Sequence, residues 1–174
     1  MTENTLTRKI ILGLGNTLNR DEGLGVYALE ALEAHLKETY GDSLPPEIEF
    51  VDGGVLGLNL LPWVEECSHL LVLDAINARK QPGSLIELRR DEIPLYTGIK
   101  LSDHQITFQE VLGLANFRGY LPPHLHLIGA QPAEITVGVG LSDTIHDVLP
   151  QILTRAEIIL QAWGLLDAAV VPHA

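Results

Sequence analysis

The sequence predicts an α/β protein with a twisted central sheet and helices on both faces. Three observations predict it. Short apolar runs alternate with longer stretches of helical spacing, the principal runs are apolar on both faces, and they close on glycine or an acid. At 174 residues we expect one domain over 1–174, with a core of about 8–164 and a loose tail at 165–174.

The elements follow in order. Lys9 to Leu14 is an apolar strand that runs into Gly13 and Gly15. Leu24, Ala28, Ala31, Leu32 and Leu36 recur at helical spacing, predicting a helix over about 22–40, stopped by Gly41 and Pro45-Pro46. Glu47 to Val51 is a second strand, closed by Asp52-Gly53-Gly54, and a short helix follows around Leu58 to Glu66. His69 to Leu73 is an uninterrupted strand ending at Asp74. Ser84 to Arg90 alternates as a less buried or edge strand does. A helix from Ser102 carries Phe108, Val111, Leu112 and Ala115 on one face, and Leu125 to Ala130 is the last strand. An apolar stripe from Ile145 to Trp163 predicts a long helix stopped by Gly164, which Pro150 should kink or split. Strand order is not readable from this pattern.

Composition excludes several function classes. Eleven Lys and Arg against 23 Asp and Glu give a net charge of −12, which disfavours a nucleic-acid partner. One cysteine makes no internal disulfide and no four-cysteine metal framework. No apolar stretch approaches the ~18 residues of a membrane span. Met1 to Lys9 lacks a signal-peptide hydrophobic region, so a cytoplasmic protein is expected.

In open α/β sheets, ligands sit beyond the carboxyl ends of the strands. Those ends carry Asp21-Glu22-Gly23, Asp52-Gly53-Gly54 and Asp74, and Ser102-Asp103-His104-Gln105 precedes the next helix. Carboxylates with an imidazole suit a divalent first-row metal such as nickel or zinc. Ser102 and Gln105 fit a capping box, which places His104 in a first helical turn, where the positive helix end keeps the ring neutral. Each residue also has a simpler reading. Asp21 can be an N-cap with Glu22 complementing the helix dipole, Asp52 fits a turn, Asp74 can bond its following loop, and His104 can merely decorate a helix start.

Other motifs carry less. Gly13-x-Gly15 begins a dinucleotide fingerprint, but Leu18 replaces its third glycine and Asp21 and Glu22 would repel pyrophosphate. Cys67 follows two carboxylates and reads as a packed core residue. His124 and His126 follow Pro122-Pro123 and read as solvated loop histidines, while His35, His69 and His146 have no role assigned.

With these motifs on the page, the chain resembles the hydrogenase maturation endopeptidases. The resemblance rests on Gly13-Leu-Gly-Asn16, Asp21-Glu22-Gly23, Asp52-Gly53-Gly54, Leu73-Asp74-Ala75, His104-Gln105 and Phe108-Gln109-Glu110-Val111-Leu112. Ile128-Gly129-Ala130-Gln131-Pro132 and Gly140-Leu141-Ser142 continue it, so that it covers about Lys9 to Trp163. It implies an enzyme that removes the C-terminal extension of a nickel–iron hydrogenase large-subunit precursor after nickel insertion. It further implies Glu22, Asp74 and His104 as metal-contacting residues, with Asp52 at an acidic position that is the candidate catalytic base. The nickel arrives with the substrate, and the isolated protein should hold metal weakly or not at all. The short Ile93 to Leu101 segment and the Pro122-Pro123 connection depart from the family pattern. A non-enzymatic nickel-binding chaperone, a nucleotide-binding α/β protein and a peptidyl-tRNA hydrolase are the rival readings. The last shares the Gly-x-Gly-Asn turn but takes a polyanionic substrate.

Overall fold

The apolar runs form β1 (Arg8–Leu14), β2 (Ile48–Gly54), β3 (Cys67–Ala75), β4 (Leu85–Arg89) and β5 (His124–Ala130). The structure is a computed structural model that describes residues 8–95 and 107–168. The strands lie in the order β2-β1-β3-β5-β4. β1 pairs in parallel with β2 and β3, β3 pairs in parallel with β5, and β4 closes the sheet antiparallel to β5. The alternation read in 84–90 thus belongs to an edge strand, as expected.

Residue parity sorts the core into two layers, because successive side chains leave a strand on opposite faces. Ile11, Leu71, Leu73, Ile128 and Ala130 pack against α1 (Leu24–Tyr40) and α4 (Asp143–Ala162). Ile10, Leu12, Leu70, Val72, Leu125 and Leu127 pack against α2 (Leu61–Glu65) and α3 (Phe108–Phe117). Helices therefore cover both faces, and the predicted fold class holds.

Four local expectations need correction. Pro150 does not split α4, which runs unbroken. Pro150 is exposed, and Ile145, Val148, Ile152 and Ala156 hold the helix on the sheet from either side of it. The tail is not loose from its start: Gly164 turns with φ +72°, and Leu165 and Leu166 fold back into the core. Residues 169–174 lie outside the described residues.

Helix α3 begins at Phe108, not near Ser102. Its N-cap is Thr107, whose Oγ1 accepts the Glu110 N–H at 3.3 Å while the Glu110 carboxylate accepts the Thr107 N–H at 2.8 Å. The capping box of this helix is thus Thr107 to Glu110. Ser102, His104 and Gln105 lie outside the described residues.

The histidines expected in a loop or without partners form a cluster instead. Cross-strand register sets His69 opposite His124. Their rings stack at 4.1 Å and 10°, and Trp163 meets His69 edge-on at 5.2 Å. Sequence distance hid this contact, because parallel pairing joins residues far apart in the chain.

Candidate active site

The site is built where α1 starts over the carboxyl edge of the sheet. A 3-10 turn, Arg20–Gly23, leads into α1. Gly25 lets this region lie on the strands: a Cβ there would collide with the backbones of Leu73 and Leu14. Gly15, at φ +127°, has its missing Cβ against the Glu22 carbonyl. The Gly-x-Gly turn therefore serves close packing of the Glu22 turn onto the end of β1.

This approach brings Glu22 to Asp74, the residue before the last of β3. Asp74 is 1% exposed, and neither carboxylate oxygen has a hydrogen-bond partner among the described residues. Burial pushes its carboxyl well above the usual carboxylate range. The neighbouring Ala75 N–H tempers the shift without forming a hydrogen bond, and the charge of Glu22 adds to it. Glu22 is 6% exposed, and Asn19 Nδ2 donates to its Oε2 at 2.8 Å. A loop that bonded Asp74 would have explained that residue structurally; the geometry provides no such bond.

Asp21 is a different kind of residue from the expected N-cap. Fully buried, its carboxylate accepts the N–H groups of Ala133 at 2.9 Å, Glu134 at 2.8 Å and Ser142 at 2.7 Å. The Ser142 hydroxyl also donates to it at 2.8 Å. Asp21 thus ties the 133–142 connection to the turn that carries Glu22. Its adjacency to Glu22 in sequence concealed the different partners of the two side chains.

Asp52 stands on β2, across β1 from the Asp74 strand and in register with Gly13. It is exposed on β2, and its Oδ1 accepts the Gly54 N–H at 3.0 Å, the turn-forming bond of the simpler reading. His104 lies outside the described residues. Among the described residues no cluster of three His, Cys, Asp or Glu is poised to hold a metal ion.

Gln131 directly follows β5. Its Oε1 accepts the N–H groups of Ala78 at 2.9 Å and Lys80 at 3.2 Å, and its Nε2 donates to Asn77 Oδ1 at 3.2 Å. It thereby shapes the loop that follows Asp74. A polar residue closing the apolar strand β5 was the available signal. Cys67 is a core residue as expected: burial pushes its thiol up to about 12, and Sγ donates to the Val64 carbonyl at 3.4 Å. Among the described residues no helix is long and apolar enough to cross a membrane.

Comparison with known proteins follows the same lines. Residues 26–160 match the family model described as HycI, hydrogenase maturation protease. The chain is 39% identical over 164 residues to the hydrogenase expression/formation protein HupD of Rhizobium leguminosarum bv. viciae, covering 93% of this chain and 78% of that one. It is 34% identical over 159 residues to the hydrogenase 2 maturation protease of Escherichia coli, covering 91% and 93%. Among solved structures, it matches the hydrogenase maturating endopeptidase HybD from Escherichia coli with a TM-score of 0.79 at 33% identity, covering 91% and 94%.

Proposed function

This chain belongs to the hydrogenase maturation protease family, and from that membership we propose that it cleaves a nickel–iron hydrogenase large-subunit precursor, removing its C-terminal extension once nickel has been inserted. The observation that carries the nickel requirement is Asp74. An unpaired carboxylate is costly to bury, and a site keeps one where a cation arrives to meet it. Nickel held by the precursor is such a cation, so the metal enters as part of the substrate.

Glu22 and Asp74 supply hard oxygen donors, and His104 would add a borderline imidazole. Contact between these side chains and the loaded metal would register the scissile bond in the site, so that an empty precursor is left uncut. Asn19 orients Glu22 through its bond to Oε2. When present, nickel would polarise the scissile carbonyl or a water. Asp52 is the carboxylate to test as base, because its exposed side chain keeps only Oδ1 engaged with Gly54. A donor set of carboxylates and one imidazole without thiolate favours weak retention of metal by the isolated chain.

The experiment is the intact mass of the precursor after incubation with this protein, with and without nickel loading. Loss of a C-terminal peptide from the loaded sample alone is expected. Shortening of both samples overturns the metal requirement, and an unchanged loaded precursor overturns the cleavage. Single Ala substitutions at Glu22, Asp74 or His104 should reduce processing about 100-fold or more. A folded His104→Ala variant at full activity would remove that residue from the site.

A further inference from the structure

Past the end of β3 the chain turns through residues 77–80, and that turn carries two adjacent exposed cations, Arg79 and Lys80. Cations are scarce in this chain, 11 Lys and Arg against 23 Asp and Glu. Arg8, Lys37, Arg90, Arg118 and Arg155 each face a carboxylate. Among the described residues the Arg79 and Lys80 side chains have no such partner, and only their backbone N–H groups are bonded.

Side chains from two strands build this turn. Asn77 Oδ1 accepts the Arg79 N–H at 3.3 Å, and Gln131 Oε1 accepts the Ala78 and Lys80 N–H groups at 2.9 and 3.2 Å. Within it Arg79 has φ +55°, a left-handed conformation that suits glycine or asparagine better than a long side chain. No internal contact of its guanidinium offsets that cost. Register places the turn at the site. Asp74 lies opposite Gly129 and Ala75 opposite Ala130, and Gln131 is the next residue after Ala130. The Ile76 N–H also bonds the Ala130 carbonyl at 3.0 Å, so the two chains stay side by side past the sheet edge. The turn therefore stands at the carboxyl ends of β3 and β5, with Arg79 within about 18 Å of Asp74 along the backbone.

We propose that Arg79 and Lys80 bind an acidic side chain of the precursor polypeptide, on the stretch that crosses the rim beside Asp74. This deepens the protease reading above and rests on it. Charge complementarity names the occupant. A guanidinium beside an ammonium attracts a carboxylate, which arginine grips through two N–H groups. Elsewhere Glu22, Asp74 and the net charge of −12 repel an acidic chain, so a carboxylate is favoured only where these cations meet it. The pair thus sets the register of the bound chain, and a precursor with a basic residue at that position is refused.

The test uses the full chain and a nickel-loaded hydrogenase large-subunit precursor. Arg79→Asn combined with Lys80→Gln removes both charges, and asparagine tolerates the left-handed turn, so the melting temperature should not fall. Expected are a KM raised about tenfold with kcat within about twofold. The Kd measured in a cleavage-deficient Asp74→Ala background should rise in parallel. Added salt should weaken binding by the wild-type pair and leave that of the double variant almost unchanged. Among precursors with single Asp or Glu residues near the cut replaced by Lys, one should bind the wild-type pair more weakly and Lys80→Glu more tightly. Unchanged KM and Kd, or a loss that no charge reversal in the precursor restores, overturns the proposal. A lowered melting temperature with an equal loss of kcat makes the pair structural and overturns it too. Wild-type chain that binds the precursor without shortening it fails the cleavage reading alone, while the Kd comparison still decides the pair. Absence of any binding overturns both. A double variant that only dissociates a dimer of this chain, at unchanged KM, assigns the cations to a second copy and overturns the proposal.

Discussion

At Asp74, folding and function pull in opposite directions. The carboxyl is 1% exposed, lacks a hydrogen bond among the described residues, and is held well above its ordinary value of 3.8. The unfolded chain ionises near 3.8, whereas the folded chain keeps its proton to higher pH. Stability is therefore lost as pH rises from about 4 toward the folded value. Asp74→Asn removes that loss. We expect it to stabilise the isolated chain at pH 8 by about 1–3 kcal/mol, with a smaller gain at pH 5, while processing disappears. Denaturant unfolding at the two pH values measures this. A variant less stable than wild type at pH 8 would mean that an unseen partner already satisfies the carboxylate.

Among the elements, the 133–142 connection has no regular structure of its own and depends on one side chain. Asp21 accepts hydrogen bonds from Ala133, Glu134 and both donors of Ser142. Ser142 is also the N-cap of α4, its Oγ accepting the Ile145 N–H at 3.4 Å. Asp21→Ala leaves four part-buried donors without their acceptor and loosens the start of α4 at once. We expect a loss of about 2–4 kcal/mol, or roughly 5–15 °C in Tm for a chain of this length, measured by thermal unfolding. Processing should fall as well, because Asp21 ties this connection to the turn that carries Glu22. Asp21→Asn, which keeps the shape and one acceptor oxygen, should recover part of both.

Across the whole molecule, the sheet separates two titrating centres. Asp74 lies at the carboxyl ends of the strands, and the His69–His124–Trp163 cluster lies at the other end of β3 and β5. Burial first, then the charges of His124 and Lys9, hold His69 down at about 4 from an ordinary 6.5. A ring kept neutral in the fold contributes stability that is present above pH 6.5 and lost as pH falls toward 4. This slope is opposite to that from Asp74, so the two variants separate them. His69→Phe keeps a ring against His124 and Trp163 but removes the proton, and should flatten the loss of stability between pH 6.5 and 4. An unaltered acid limb would place its origin elsewhere, His126 being the next candidate because burial lowers it too.

The class of the fold was legible because apolar periodicity is local. Lys9 to Leu14, His69 to Leu73 and Leu125 to Ala130 could only be buried strands between amphipathic helices, and β4 announced its edge position by alternation. Acids at strand ends marked Asp21, Glu22, Asp52 and Asp74 alike, and only the family resemblance narrowed them to Glu22 and Asp74 beside His104. The helix start at Thr107 was misread because Ser102 and Gln105 carry the same cap signal a few residues earlier. A split at Pro150 and a loose chain from Leu165 do not occur, because burial of the surrounding stripe outweighs a local break.

By itself, then, the sequence determined which segments are strands or helices and which residue types gather at the strand ends. Both follow from the spacing of side chains along one stretch of chain. Only the tertiary structure decided the order β2-β1-β3-β5-β4, the burial of Asp74 without a hydrogen bond among the described residues, the tether at Asp21 and the stacking of His69 on His124. Each of these depends on which distant segments meet, and pairing free energies between such segments leave no periodic trace in either one.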